Sequence, residues 1–369
     1  MRVIFYAVNG LGIGHLTRLL AIARRLRRRA ADAEILFLTS SEADHLIYQE
    51  GFPAIKFPSK TIRAEVGLKK RTFLETCMPV AWNVISSFRP DVIVVDTFPQ
   101  GSLQELIPVL HWSPKMVFVF REQKLERVAD PEFQQLLRYY DHILVPHAEG
   151  EFDPQCVGIP LTFTGPILIR DREELLVRRE VRRQLELPDN RRIVYCTFGG
   201  GGDEHARRVF QWVHHTLSAR KDCFLVTANG PLSRGLTAMS QDNAQLFYFP
   251  AMELFPAFDV AISAAGYNTC NELLYAGVPS IFIPFERDLD DQTLRADRIE
   301  KAGAGVRLDT LTEKALNYAF DRLLAEAPTL SEKARAWIPA NGAGEAARVI
   351  AELAGLAVEV GTPPGTSLC

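Results

Sequence analysis

Cysteine is scarce in this sequence, and its placement excludes two common roles. The chain has six cysteines among 369 residues. None forms a Cys-x-x-Cys pair, and none stands near a histidine at the spacing of a zinc site. We therefore expect reduced, mostly buried thiols in a cytoplasmic protein rather than a disulfide framework or a bound metal.

Long apolar runs and an excess of charge are also missing. The apolar opening residues, Met1 to Val8, lead directly into Asn9-Gly10 and are too short for a signal-peptide core. No other stretch approaches the ~18 apolar residues that a membrane span needs. The formal net charge is only -3, with a pI near 6.3, so the sequence predicts no nucleic-acid partner.

The sequence does have enough apolar residues for two hydrophobic cores. Hydrophobic residues make up 47% and charged residues 24%, which is typical of a globular protein. A chain of 369 residues usually divides into domains of under about 200 residues each. We predict an N-terminal domain over 1–165, a C-terminal domain over 166–358 and a disordered Gly/Pro-rich tail over 359–369.

Short β-branched runs alternate with helical segments in both halves, which is typical of parallel βαβ units. The predicted strands are 3–8, 34–39, 91–96, 116–120, 142–145, 193–197, 224–228, 246–249, 260–263 and 280–283. The predicted helices include 41–50, 72–88, 101–111 and 343–353. The expected fold class is α/β, with two Rossmann-like, doubly wound domains that face each other across a cleft.

A glycine loop, Asn9 to Gly14, lies between the first strand and the first helix, where backbone N–H groups favour an anion. Its spacing does not match Gly-x-Gly-x-x-Gly. The second strand ends at Thr39-Ser40-Ser41, without the acidic residue that binds a cofactor ribose. The loop therefore disfavours a nicotinamide cofactor, and we expect no cofactor.

His15 begins the first helix, where a neutral imidazole can accept a proton from a hydroxyl group. Asp96 ends a buried-looking strand, and the carboxyl ends of parallel strands are where ligands gather. A carboxylate there can orient the imidazole and stabilise its protonated form. The alternatives are that His15 is only a polar residue near a helix start and that Asp96 is a helix cap or turn residue.

The second half carries segments that suit a nucleotide. Thr197 to Gly200 joins a strand to a helix, and small residues from Ser263 to Gly266 let a backbone approach a diphosphate. Glu272 lies about one and a half turns into the next helix, within reach of ribose hydroxyls. The later segment Asp290-Asp291-Gln292 offers polar groups for the hydroxyls of a sugar. Asp288-Leu289-Asp290 has the spacing of a metal-binding Asp-x-Asp, but its place beside Gln292 favours sugar contacts instead.

The order of these motifs resembles the GT-B glycosyltransferases. Gly-x-Gly-His, Gly-Gly-Gly, Gly-Tyr-Asn-Thr-Cys-Asn-Glu, Gly-Val-Pro and Asp-Gln follow one another, and the resemblance is strongest over 245–310. It is closest to the family 28 group that contains the bacterial N-acetylglucosaminyltransferase of lipid II synthesis. The resemblance implies an inverting, metal-independent transfer from a nucleoside-diphosphate sugar, with a UDP-sugar favoured, to an acceptor hydroxyl.

The resemblance also assigns roles by position. His15 becomes the base, and Asp96 becomes its partner. In the donor site, Gly266, Asn268 and Thr269 would contact the diphosphate. Glu272 would contact the ribose, and Asp291 and Gln292 would contact the sugar. The donor-binding residues it implies are, in full, Gly12, Gly14, Gly199, Gly200, Phe249, Met252, Gly266, Asn268, Thr269, Glu272, Asp291 and Gln292.

Two departures from the family pattern bear on the reaction. Lipid II enzymes usually carry a proline three residues after the histidine, where this chain has Arg18. The acceptor therefore stays open among a lipid-linked substrate, a glycan and a small molecule. Ala264 stands where retaining relatives carry a second glutamate, which favours inversion.

Two other functions fit the fold, namely a nucleotide-sugar 2-epimerase or hydrolase and a non-catalytic nucleotide-sugar-binding subunit. The epimerase opening Gly-Thr-Arg-Pro-Glu is missing.

Two basic stretches, 24–29 and 69–71, have the composition of solvated surface. Their alternative role is a peripheral contact with the inner face of the membrane.

Overall fold

The computed structural model describes residues 1–8, 12–112, 114–156, 158–199, 204–228 and 243–356. Its first sheet has seven strands in the order β3-β2-β1-β4-β5-β6-β7, and its second has six in the order β10-β9-β8-β11-β12-β13. The strands are β1 Arg2–Ala7, β2 Glu34–Thr39, β3 Ala54–Lys56, β4 Val92–Asp96, β5 Lys115–Val119, β6 His142–Val145, β7 Leu161–Phe163, β8 Arg192–Thr197, β9 Cys223–Ala228, β10 Asn243–Leu246, β11 Val260–Ala264, β12 Ser280–Ile283 and β13 Val306–Arg307.

Helices flank both sheets. They are α1 Gly14–Arg29, α2 His45–Gln49, α3 Lys60–Glu65, α4 Lys70–Phe88, α5 Leu125–Val128, α6 Pro131–Leu137, α7 Arg178–Gln184, α8 Glu204–Ser218, α9 Tyr267–Ala276, α10 Gln292–Lys301, α11 Glu313–Trp337 and α12 Ala343–Leu353. Every pairing between these strands is parallel. The prediction of two doubly wound α/β units is therefore confirmed.

The strand order places the ligand edge of each sheet. In the first sheet the chain winds outward from β1 through β2 to β3 and then returns to β4 on the other side of β1. The second sheet repeats this reversal at β8 and β11. Ligands of open α/β sheets bind at such reversals, beyond the carboxyl ends of the strands. Asp96 ends β4, and Gly266 follows β11, so both lie at these edges.

Helix α12 packs against α1 of the N-terminal unit, so the chain returns to its first half at its end. The return depends on Gly342, because a Cβ there would lie 2.5 Å from the carbonyl oxygens of Thr164 and Gly165. The Gly342 N–H donates to the Pro166 carbonyl at 2.8 Å. The predicted boundary near 165 thus lies beside this crossing. The predicted tail, 359–369, lies outside the described residues.

The arginine-rich part of α1 is committed to the junction between the two units. Arg24 donates to the Ile169 carbonyl and to Glu174, and Arg25 is ion-paired with Asp171. The interpretation of this stretch as solvated surface is therefore wrong for Arg24 and Arg25. Within the described part of the chain, no helix is long and apolar enough to cross a membrane.

The helix predicted at 41–50 is shorter in the structure, α2 His45–Gln49, and two other predicted elements differ more. The strand predicted at 246–249 is β10, Asn243–Leu246, and the exposed Phe247 and Tyr248 lie outside the sheet. The helix predicted at 101–111 is a loop that ends in one 3₁₀ turn, Val109–His111. Gly101 and Gln104 in this segment adopt φ angles of +79° and +66°, which a right-handed helix does not allow.

Candidate active site

A cavity of about 320 Å³ lies between the carboxyl ends of the two sheets. The first turn of α1 forms one wall, and the first turn of α9 forms the opposite wall. The predicted site residues that line the cavity are Gly12, Gly14, His15, Gly199, Phe249, Gly266, Asn268, Thr269 and Glu272. Nine of the fourteen predicted site residues, drawn from both halves of the chain, therefore line one cavity.

His15 lies in the first turn of α1 and is fixed through one ring nitrogen. Its Nδ1 is 3.2 Å from Oδ1 of Asp96 and 3.0 Å from Oγ1 of Thr97. An ionised carboxylate can only accept hydrogen bonds, so this contact selects the neutral tautomer with the proton on Nδ1 and the lone pair on Nε2. The imidazole lines the cavity while its Asp96 partner is fully buried. This arrangement suits a general base.

Asp96 does not line the cavity. Its carboxylate is held by two hydrogen bonds from Arg18. Arg18 Nε donates to Oδ2 at 2.8 Å and Nη2 donates to Oδ1 at 2.9 Å, which is a bidentate pair. Burial alone would raise the pKa of Asp96, but the charges of Arg18 and then His15 hold that pKa well below its usual range. Asp96 is therefore ionised whenever the site works.

Arg18 also reaches across the cleft. Its Nη1 donates to Oδ1 of Asn268 at 3.3 Å, and the Asn268 side-chain amide donates to the Gly14 carbonyl at 3.1 Å. Arg18 is only 1% exposed, although it lines the cavity. The residues expected to bind the diphosphate and the residues expected to move the proton are thus joined by one side chain.

Helix α9 begins with an uncapped N-terminus. Gly266 precedes it, no side chain caps its first N–H groups, and its first turn has no acidic residue. The first N–H groups of a helix have no partner within the helix, and they carry the positive end of its dipole. Because Gly266, Asn268 and Thr269 line the cavity here, this wall can take an anion such as a diphosphate.

Glu272 lies one turn further along α9 and also lines the cavity. Burial raises its pKa to about 8. At neutral pH the side chain is therefore mostly a carboxylic acid, which can donate one hydrogen bond and accept another. Such a group is suited to a pair of sugar or ribose hydroxyls.

A cluster of arginines that sequence reasoning missed surrounds the ring of Tyr267. The guanidinium carbons of Arg18, Arg121 and Arg295 lie 5.4, 5.9 and 5.5 Å from the ring centroid. Asp290 accepts from Arg295 Nη2 at 2.7 Å and from Arg121 across the cleft. Burial opposes the ionised form of Asp290, but these two guanidiniums hold its pKa well below its usual range.

The wall beside Phe249 is connected to the junction between the units. Tyr248 lines the cavity, and its hydroxyl donates to Glu253 at 2.5 Å. Glu253 in turn accepts from Arg170 Nε at 2.5 Å, while Arg170 Nη2 donates to Glu50 of the first unit at 2.6 Å. This chain of contacts fixes the position of Tyr248 relative to the N-terminal sheet.

Three predicted donor-binding residues have other contacts. Met252 is fully buried in the core. Asp291 caps α10 by accepting from the Leu294 N–H at 2.8 Å, and Gln292 accepts from the Phe285 N–H at 3.0 Å. The neighbouring Asp290 lines the cavity instead. Gly200 lies outside the described residues.

One signal in the sequence did point to Arg121. It follows a predicted strand, 116–120, in the way that Asp96 ends its strand, and so it lies at the same edge of the sheet.

Among the residues that the structure describes, no three His, Cys, Asp or Glu side chains are grouped to hold a metal ion.

Comparison with known proteins identifies a family domain in the C-terminal part of the chain and distant relatives over most of its length. Residues 224–353 match the glycosyltransferase family 28 C-terminal domain. A UDP-N-acetylglucosamine--N-acetylmuramyl-(pentapeptide) pyrophosphoryl-undecaprenol N-acetylglucosamine transferase of Clostridioides difficile (strain 630) is 25% identical over 353 residues, which cover 88% of this chain and 81% of the relative. An uncharacterised glycosyltransferase of Methanosarcina acetivorans is 25% identical over 91% of this chain and 90% of its own length.

Solved structures agree with this fold. The spinosyn forosaminyltransferase SpnP superposes with a TM-score of 0.67 at 18% identity, over 96% of this chain and 99% of that one. MurG of Acinetobacter baumannii superposes with a TM-score of 0.59 at 17% identity, over 96% and 99% of the two chains. The two facing sheets and these superpositions show that the chain has the GT-B fold. The match to the family 28 domain and the similarity to the Clostridioides difficile relative mark the chain as a glycosyltransferase. Within that class it carries the family 28 C-terminal domain and is a distant homologue of MurG.

Proposed function

We propose that this protein transfers a sugar from a nucleoside-diphosphate sugar to an acceptor hydroxyl, with inversion at the anomeric carbon and without a metal ion. The observation that carries the proposal is the position of His15. Its ring lines the cavity opposite the uncapped start of α9, with Nδ1 fixed by Asp96. A base on one wall and an anion site on the other are what a direct displacement needs.

In the proposed reaction the acceptor oxygen attacks the anomeric carbon while its proton passes to Nε2 of His15. The bond from that carbon to the β-phosphate oxygen breaks, and its electron pair leaves with the nucleoside diphosphate. The first N–H groups of α9 offset the charge of the leaving phosphate. Asp96 stabilises the imidazolium that forms.

A UDP-sugar is the favoured donor. The Clostridioides difficile relative is named for the use of UDP-N-acetylglucosamine, whereas the GT-B structure of VinC contains dTDP at 15% identity and a TM-score of 0.62. In our proposal residues 166–358 bind the donor and residues 1–165 bind the acceptor, which is a lipid-linked molecule, a glycan or a small molecule. A reversible membrane contact at the inner face of the membrane stays a prediction. It concerns Lys69, Lys70 and Arg71, which are exposed, whereas Arg24 and Arg25 are half-buried in ion pairs at the junction.

Thermal unfolding in the presence of UDP-, dTDP- and GDP-sugars tests the donor, because only a bound ligand raises the melting temperature. The donor that stabilises the protein is then incubated alone and with lipid-linked, glycan and small-molecule acceptors, and the products are read by NMR. A β-linked product from an α-linked donor, formed only with an acceptor present, supports inverting transfer. Turnover of the donor alone would favour the epimerase or hydrolase, and binding without any turnover would favour the non-catalytic subunit.

A further inference from the structure

Arg18 has more hydrogen-bond donors than its contacts with Asp96 and Asn268 require. The guanidinium has five N–H groups. Nε and Nη2 hold Asp96, and one hydrogen of Nη1 donates to Asn268. Among the described residues, no acceptor is recorded for the second hydrogen of Nη1. Arg18 lines the cavity, and its Nη1 contacts Asn268 in the first turn of α9.

The charges around the cavity also favour an additional anion. Three guanidiniums, of Arg18, Arg121 and Arg295, contact the ring of Tyr267. In the described ranges of the chain, the carboxylates that ion-pair with these arginines are the two of Asp96 and Asp290. Glu272 adds little negative charge at neutral pH, since burial raises its pKa to about 8. A ligand phosphate would restore the balance.

Resting on the function proposed above, we infer that Arg18 binds the donor diphosphate from the N-terminal domain through Nη1. The same guanidinium then contacts both the phosphate that leaves and the carboxylate that orients His15. Arg18 thereby supplies positive charge at the diphosphate, where no metal is proposed.

The competing explanation is that Arg18 only neutralises Asp96 and joins α1 to α9. Affinities for a nucleoside diphosphate and for its nucleoside separate the two roles, because only the first ligand has the phosphates. The probe is whichever of UDP, dTDP and GDP binds the wild-type protein, together with the matching nucleoside, measured by calorimetry. Removing Arg18 alone would leave Asp96 buried and unpaired, so the main variant is the double substitution Arg18→Met with Asp96→Asn.

In the double variant we expect diphosphate affinity to fall about 10-fold to 100-fold, with nucleoside affinity unchanged, because one charge-assisted hydrogen bond is lost. Asp96→Asn alone, which keeps Arg18, should retain the preference for the diphosphate. Arg29→Met is the matched control on the exposed end of the same helix and should bind like the wild type. Circular dichroism and thermal unfolding check that each variant is folded.

Arg18→Lys gives a second test if the double variant does not fold. An ammonium group cannot hold both oxygens of Asp96 and face Asn268 at once. The ratio of nucleoside diphosphate affinity to nucleoside affinity should therefore also fall. An unchanged ratio in the folded double variant, or in Arg18→Lys, would overturn the inference while the proposed function stands. A wild-type protein that binds none of the three nucleotides would overturn both.

Discussion

Thr97 Oγ1 lies 3.0 Å from Nδ1 of His15 and donates to Oδ1 of Asp96 at 2.5 Å. Thr97 adopts a φ of +67°, in the left-handed region that β-branched residues rarely occupy. Its backbone N–H donates to the Val119 carbonyl at 3.2 Å, which ties this conformation to β5. Strain of this kind persists where the surrounding structure requires it, and here it directs the hydroxyl to the base and its partner.

Removing the imidazole should stop proton transfer but leave the donor site intact. We expect His15→Ala to lower turnover by ~10²–10⁴, with donor affinity nearly unchanged. Steady-state kinetics and calorimetry measure the two effects on one preparation. His45→Ala, at the exposed start of α2, is the control. Full activity in His15→Ala would remove the base from the mechanism.

The hydroxyl of Thr97 should matter more than its methyl group. Thr97→Ser keeps Oγ1, and we expect it to retain near wild-type turnover. Thr97→Ala removes a hydrogen bond to a charged group and should cost about tenfold in turnover. Thr97→Gly relieves the backbone strain, so it should be more stable than Thr97→Ala in chemical denaturation. Equal turnover in the serine and alanine variants would show that the hydroxyl plays no part.

Glu272 should affect both donor binding and the pH dependence of stability. Glu272→Ala should weaken nucleotide binding, and unchanged affinity by calorimetry would contradict a contact with the ribose. The pKa of Glu272 in the folded protein, about 8, lies above its value of 4.5 in the unfolded chain. The folded state therefore binds more protons, so stability falls as the pH rises between these two values, by at most ~1.4 kcal/mol per pH unit.

Glu272→Gln cannot titrate and isolates this contribution. Urea unfolding of both proteins at pH 5, 6.5 and 8 should show a decline in the wild type that is smaller in the glutamine variant. The difference between the two proteins cancels the titration of other groups. Parallel declines would place the pKa of Glu272 near its ordinary value and leave its carboxylate exposed to water.

The sequence predicted the backbone of the site better than its charges. Alternating strands and helices determine which edge of a sheet receives the ends of β4 and β11, and this brings Asp96 and Gly266 to one cleft. The pattern of α1, by contrast, places Arg18 off the apolar face, where one helix alone would expose it to water. In the structure a second domain covers that face, and Arg18 is buried. Helical periodicity cannot distinguish solvent from another domain.

The same limit explains the contacts near 290. The sequence placed polar residues beside the donor, but three neighbours in a loop point in different directions. Asp291 caps the N-terminus of α10, and Gln292 accepts a hydrogen bond from the Phe285 N–H. Of the three, Asp290 lines the cavity. One of its two arginine partners, Arg295, lies on α10 nearby, whereas the other, Arg121, follows β5 of the other sheet. Long-range ion pairs of this kind leave no local pattern in a sequence.

Asp290 should hold the two domains together and should not bind a metal. Asp290→Asn leaves the buried guanidiniums of Arg121 and Arg295 without their carboxylate, so we expect a loss of about 3 kcal/mol in the free energy of unfolding. Asp288→Asn removes the exposed member of the Asp-x-Asp pattern and should change little. Activity of the wild type should persist in excess EDTA. The contrary outcome is a loss of activity in EDTA that Mg²⁺ or Mn²⁺ restores, together with a loss of activity in Asp288→Asn. That outcome would indicate a metal site at this segment and overturn the metal-independent mechanism.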